Sequence, residues 1–205
     1  KEKDGKTSLI SHPGASMGSC VVPENFAFSD ALELTEQLVS YATKNGIDRL
    51  QITLPPIIYY KRFSQYLDFA YQKSGFNYQK REVTSILFLE NTIEKCLDKF
   101  KSNHRTAVRK AEKSGIQIRQ SEDFASFFTI LKKNLSIRHN VKPAHTLEEM
   151  LRLKKIFPEK IVLFGAFFEK EMIAGVVNFV MNSKTVLAFY ISHVEKYQEL
   201  RPINL

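Results

Sequence analysis

Cysteine is scarce in this chain of 205 residues, with only Cys20 and Cys96 present. They form no C-x-x-C pair and have no histidine cluster beside them, so a reducing compartment is the simplest reading and a cytoplasmic location is expected. No apolar run approaches the roughly 20 residues that a bilayer-spanning helix needs, and no signal peptide is visible. A G-x-G-x-x-G run and a Walker lysine pattern are both missing, so the usual nucleotide fingerprints are absent. The chain starts at Lys1 without a methionine and stops at "RPINL", where a helix is about to begin. Both ends are therefore expected to be incomplete. Acidic residues are outnumbered, 22 against 30 Lys and Arg, which leaves a net charge of +8. That excess favours anionic partners such as nucleic acid, phosphorylated substrates or acidic surfaces, and says nothing about the fold.

What is present describes an ordinary globular chain. The hydrophobic fraction is 43% and the charged fraction 25%, with enough length for one large domain or two small ones. "KTSLIS" and "SCVV" read as strand pieces around the turn "HPGASMG". A helix follows, with Asp30 and Glu33 as a capping box and Leu34, Leu38, Tyr41 and Ala42 at helical spacing, ending at Asn45-Gly46. "DRLQITLP" reads as a strand closed by prolines. "KRFSQYLDFAYQKSG" reads as a helix with Phe63, Leu67, Ala70 and Tyr71 inward, and "FNYQKREVTSILFLE" as one long strand or a bent pair.

The second half has a different order. One long helix is predicted from a cap at Asn91 to Gly115, with Leu97, Phe100, Ala107, Val108 and Ala111 on its apolar side. "IQIRQ" alternates as a half-buried strand. A strongly apolar helix capped by Ser121 carries Phe124, Phe127, Phe128 and Leu131 as core. Another has Thr146 and Glu149 as its capping box. Three strands follow, "KIVLFGAFFEK", "EMIAGVVNFVMN" and "TVLAFYISH", with turns at 169–171 and 182–184. The predicted class is α/β, with mixed, mainly antiparallel sheets flanked by helices. The two sections, 1–91 and 92–205, fit one repeated plan with pieces missing.

"HRTAVRKAEKSG" stacks positive charge on one helix face, because Lys101, Arg105, Arg109 and Lys113 fall four residues apart. Arginine pairs of this kind can grip a diphosphate through parallel hydrogen bonds. A solvated face is the plainer alternative, since Asp98 and Glu112 offset part of the charge. "SHPGASMGS" reads as a strand-connecting turn rather than a phosphate nest. His139 and His145 flank a loop with no completing carboxylate or cysteine, so no metal site is expected. "IYYKRF" interleaves aromatics with Lys61 and Arg62, a pattern that can stack bases and hold phosphates but more often divides into core and surface.

Three stretches carry a family resemblance. "RTAVRKAEKSGIQI", the meander "IVLFGAFFEKEMIAGVVNFVMNSKTVLAFYIS" and "YQELRPINL" together resemble the FemABX-like family of the GCN5-related N-acetyltransferase (GNAT) superfamily. The likeness covers most of residues 92–205 and rests on element order over 1–91. It implies tandem GNAT-like units and transfer of an acyl group to an amine. Members of the family typically take an amino acid from aminoacyl-tRNA and attach it to a peptidoglycan precursor. Carried over by position, Arg105, Arg109 and Lys113 would meet the anionic acceptor or tRNA. Tyr190 would be the proton donor at the end of the last strand, with Ser192 beside it against the substrate. No bound cofactor is implied; aminoacyl-tRNA or acyl-CoA would be a co-substrate. Ordinary acetyltransferases hold the coenzyme A pyrophosphate in a Gly-rich loop after this strand. Here "SHVEKYQELRP" has no glycine, which favours the FemABX-like reading. The alternatives are an acyl-CoA-dependent N-acyltransferase acting on a small amine, a non-catalytic nucleic-acid-binding module, and a degenerate pair kept for structure.

Overall fold

The computed structural model describes residues 5–204, which divide into two compact units between Ser85 and Ile86. The class is α/β. In the first unit, β1 (Ser8–Ile10) and β2 (Arg49–Gln51) pair in parallel, joined through helix α1 (Phe28–Lys44). α1 starts earlier than its predicted cap: the Asp30 carboxylate accepts from the Ala27 backbone N–H at 2.8 Å, which makes Asp30 the third helical residue. Its buried face is Ala31, Thr35 and Ala42, while Tyr41, expected inward, is exposed. Thr35 is tolerated there because its hydroxyl donates to the Ala31 carbonyl at 2.8 Å.

α2 (Tyr66–Lys73) is shorter than predicted, and Phe63 stands 72% exposed ahead of it. "SCVV" forms no strand; only a single bridge joins Gly18 to Thr53. The preceding turn closes with the Ala15 N–H on the His12 carbonyl at 3.0 Å. Gly18 is required there, since a Cβ would lie 2.2 Å from His12 Nδ1. Residues 76–90 form no strand either. Their β-branched pattern has no neighbouring backbone to pair with, and Val83, Phe88 and Leu89 are exposed.

Residues 86–90 go with the second unit because α3 (Ile93–Asp98) holds them. The Lys99 ammonium reaches the Phe88 carbonyl and pairs with Glu90 at 2.6 Å, and the Glu90 N–H points at Cys96 Sγ. The predicted long helix is broken. α3 is capped by Thr92 rather than Asn91, and α4 (Ser102–Lys113) restarts after Lys101, whose ψ of 152° is extended. Arg105 fastens the break by donating to the Phe100 carbonyl at 2.8 Å and, at 3.4 Å, to that of Asp98.

The sheet of this unit runs β3 (Gln117–Ser121), β4 (Ile161–Phe168), β5 (Glu171–Asn182), β6 (Thr185–His193), all antiparallel in that order. The Ile118 side chain of β3 is exposed, so that strand is not the half-buried alternator its sequence suggests. Between β3 and β4 come α5 (Phe124–His139) and α6 (Leu147–Ile156). Asp123, not Ser121, caps α5 by accepting from the Ser126 N–H at 3.0 Å, and the Ser126 hydroxyl, followed by this backbone bond, lowers the Asp123 pKa. The Thr146–Glu149 box forms as expected, at 2.7 and 3.1 Å. Two 3-10 turns, Glu195–Leu200 and Pro202–Asn204, follow β6 in place of the expected helix start.

One face of the sheet packs on α5 and α6 through Phe124, Phe127, Phe128, Leu131, Met150, Leu163 and Val177. The other face meets α4 through Ala111, Ile116, Ala166, Ile173 and Ala174. A bulge in β5 makes the second set possible: Ala166 pairs with Ala174 and Phe167 with Met172, which leaves Ile173 extra and on the same side as Ala174. Gly165, Gly175 and Ser192 lie side by side across β4, β5 and β6. Gly175 opens a trough for the Phe127 ring, where a Cβ would come 2.8 Å from its Cδ2 and 3.1 Å from the Phe164 carbonyl, and Gly165 makes room for the Phe167 ring, where a Cβ would come 2.7 Å from Cε2. Gly175→Ala is expected to destabilise the second unit by about 1–3 kcal/mol through overpacking. Denaturant unfolding of Gly175→Ala with and without Phe127→Leu checks this; the smaller side chain should recover part of the loss.

Candidate functional site

The end of β6 gathers the polar chemistry of the second unit. A second bulge, at Phe189, lets Phe189 and Tyr190 both turn towards the loop between α5 and α6, where each packs edge-on against the His145 ring. The Tyr190 ring also meets Phe128 edge-on, with centroids 6.0 Å apart. Its hydroxyl accepts from the His145 backbone N–H at 3.1 Å and lies 3.0 Å from His145 Nδ1. The hydroxyl and Nδ1 share one hydrogen bond, in which the imidazole tautomer sets the donor. Burial raises the Tyr190 pKa, and the backbone donors of Ala144 and His145 oppose that rise only in part. The group is therefore a neutral hydroxyl already engaged with a histidine.

Ser192, the neighbour of Gly175, is 3% exposed and its Oγ has no hydrogen-bond partner. His193 follows. Its carbonyl accepts from Asn134 Nδ2 at 3.0 Å, and its Nε2 is buried without a partner. Burial lowers the His193 pKa, the Arg138 cation lowers it further, and Glu195 pulls the other way. Arg138 and Glu195 are themselves paired at 3.1 Å. His193, Asn134 and Glu195 border a groove of about 690 Å³ along α5, together with Lys133, Lys170 and Lys196. Lys196 pairs with Glu171 at 3.5 Å, and Glu171 also accepts from the Tyr197 hydroxyl at 2.9 Å. The arrangement offers a neutral imidazole, an amide, and cations partly matched by carboxylates, at the mouth of a mainly apolar trough.

The basic helix is placed elsewhere. Lys101 is outside α4 as its N-cap, and the Arg105 guanidinium is turned onto backbone carbonyls of the α3–α4 break. Arg109 and Lys113 remain exposed and make no hydrogen bond or ion pair among the described residues, whereas Lys110 reaches Glu199 at 3.7 Å. α4 packs on the sheet face opposite Tyr190. The structure thus brings Tyr190 and Ser192 onto one strand end and leaves Arg105, Arg109 and Lys113 across the sheet from them. Asn134, Arg138 and His145 were not singled out by sequence as partners of this strand end. The switch from apolar to polar residues within "LKKNLSIRH", with Asn134 and Arg138 four apart, is the signal that marks the groove-lining end of α5. Among the described residues no group of three or more His, Cys, Asp or Glu side chains is placed to hold a metal ion, and no helix is long and apolar enough to cross a membrane. No protein-family model matches the chain, and no curated protein matches it.

Two outcomes follow from this geometry. Arg105→Ala should cost about 1–3 kcal/mol, as expected when charge-assisted hydrogen bonds are lost, whereas Arg109→Ala should stay within about 0.5 kcal/mol as an exposed change. Paired urea denaturation curves separate them. The lowered pKa of His193 means that the unfolded chain binds its proton first. Its contribution to stability is intact above the ordinary histidine value of 6.5 and declines as the pH falls from there towards the folded value. His193→Gln should flatten the stability profile in that window, measured as denaturation midpoint against pH.

Proposed function

We propose that the protein transfers an acyl or aminoacyl group from an activated donor to an amine, as FemABX-like members of the GNAT superfamily do, with two GNAT-like units in tandem. The observation that carries the reading is the element order of the second unit: a strand, two helices, then a three-strand antiparallel meander, with a polar groove at the end of the last strand. Aminoacyl-tRNA is the favoured donor and an anionic cell-wall precursor peptide the favoured acceptor, in a cytoplasmic setting. The turn after β6 has no glycine and begins with Glu195, an unfavourable cradle for the pyrophosphate of coenzyme A.

In this reading the acceptor amine attacks the ester carbonyl carbon directly. The new C–N bond forms, the ester C–O bond breaks, and the amine proton ends on the departing ribose oxygen. Positioning and oxyanion stabilisation supply most of the rate. Tyr190 donates its phenol proton to the leaving oxygen and takes up the proton that the amine gives up, with the His145 backbone N–H holding its hydroxyl in place. Ser192 keeps the strand end narrow beside the substrate. Arg109 and Lys113 give a separate, salt-sensitive hold on polyanionic tRNA or acceptor phosphates. Arg105 belongs to that surface through its place on α4, its guanidinium fixing the helix that presents the other two.

Incubating the full chain with aminoacyl-tRNA and UDP-linked muramyl peptide, and separately with acyl-CoA and simple amines, tests the proposal. Mass spectrometry of the acceptor should show the added aminoacyl mass, and Tyr190→Phe should lower turnover roughly a hundredfold while leaving donor binding intact. Use of acyl-CoA alone would establish the small-amine alternative. Binding of tRNA that weakens steeply with salt, with no acceptor ever modified, would replace the transferase by a nucleic-acid-binding module.

A further inference from the structure

The first unit holds a cavity of about 620 Å³ that the transfer chemistry does not use. Its walls come from the irregular stretch after Gly18 and from the segment leading into α2. Val22, Pro23, Pro55, Tyr59, Tyr60 and Leu67 make most of the lining apolar. Burial is sufficient to raise the Tyr60 pKa, with Asp68 adding to it. Beside these walls stand two cations. Lys61 makes no hydrogen bond or ion pair among the described residues, and Arg62 spends one guanidinium nitrogen on the Glu24 carbonyl at 3.1 Å, leaving its other donors free. Ser19, also in the lining, lies beside the Tyr71 hydroxyl. Glu24 is the single carboxylate of the lining.

An apolar chamber of this size is in the range of small-molecule sites, which combine apolar walls with a few polar groups that fix orientation. A purely apolar ligand would gain nothing from the cations. A bare inorganic anion would gain nothing from the tyrosine and proline faces. We propose that this cavity binds a small organic anion with an apolar body, its carboxylate or phosphate held by Lys61 and Arg62 and its body against Tyr59, Tyr60 and Pro55. Arg62 is the stronger partner, because its planar donors match either head group. The site lies within the first unit and is independent of the transferase reading.

The chain contains no tryptophan, so its tyrosines dominate the emission, and Tyr59, Tyr60 and Tyr66 line the cavity. Titration of the full chain by tyrosine emission, with calorimetry as a check, uses octanoate and phenyl phosphate as probes and benzyl alcohol and inorganic phosphate as controls. At least one amphipathic anion should bind saturably, about tenfold or more tighter than either control, with the tighter probe distinguishing alkyl carboxylate from aryl phosphate. Lys61→Gln should weaken it about three- to tenfold without altering the melting curve, and Arg62→Gln should weaken it further. Arg62→Gln also removes the contact with Glu24, so Lys61→Gln is the deciding variant. Failure of both probes to bind, binding of benzyl alcohol as tight as the anions, or an affinity unchanged in Lys61→Gln would overturn the assignment.

Discussion

The contact of Phe127 with the backbone at Gly175 sets the geometry of the second unit. A helix laid on a sheet must fit its largest side chains between rows of strand residues, and α5 brings Phe124, Phe127 and Phe128 to that task within two turns. Gly175 removes side-chain bulk where Phe127 lands. With α5 seated there, its polar second half falls alongside the end of β6. Asn134 then reaches the His193 carbonyl, and Arg138 meets Glu195. The groove is thus a by-product of how one aromatic ring is accommodated three helical turns away from its open end.

That origin divides the polar groups at the strand end into two kinds. Ser192 is held by its place in the strand, buried beside Gly175, with a hydroxyl that has no partner among the described residues. Tyr190 is held by hydrogen bonds as well as by rings, so its hydroxyl tethers the loop before α6 and stays within hydrogen-bond reach of His145 Nδ1. His193 is kept neutral by burial and by a neighbouring cation. A neutral imidazole and a neutral phenol are suited to proton handling near neutrality, which is the chemistry an amine nucleophile demands.

Much of this was legible in the sequence. The two hairpin turns, the Thr146–Glu149 box and the core aromatics of α5 could be read because each depends on local pattern, either a period of 3.6 or 2 or a cap three residues away. The broken helix was not legible. Residues 91–115 carry a continuous helical pattern, and only Arg105 reaching back to the Phe100 carbonyl shows where the backbone departs from it. The same bond explains why the basic stack was misread: spacing gives the direction of a side chain from its helix, not the acceptor it finds. Residues 76–90 failed for a related reason, since alternation describes a strand's faces but cannot supply its partner. Phe63 and Tyr41 fit an apolar period and yet are exposed, because neither has packed structure opposite it. Of the candidate site, Tyr190 and Ser192 could be named from their place at a strand end, whereas Asn134 and His145 are near it only through tertiary contacts across 59 and 45 residues of chain.

The bulges at Ile173 and Phe189 decide where this sheet could change length over evolutionary time. Away from these two and from Met181, where the pairing of β5 with β6 shifts again beside the turn, loss of one residue in β5 or β6 inverts every side chain between that point and the next turn, and core becomes surface. At Ile173 or Phe189 the same loss returns the pair to plain alternation, because the extra residue is the one removed. The two deletions differ in what they take away. Removing Ile173 thins the apolar layer under α4, whereas removing Phe189 strips the ring stacked on Phe179 at 4.3 Å and one of the two aromatic walls around His145. Homologues of one residue less at the first position would keep the strand-end chemistry with a looser α4, and those shortened at the second would keep the sheet while giving up the histidine's aromatic enclosure.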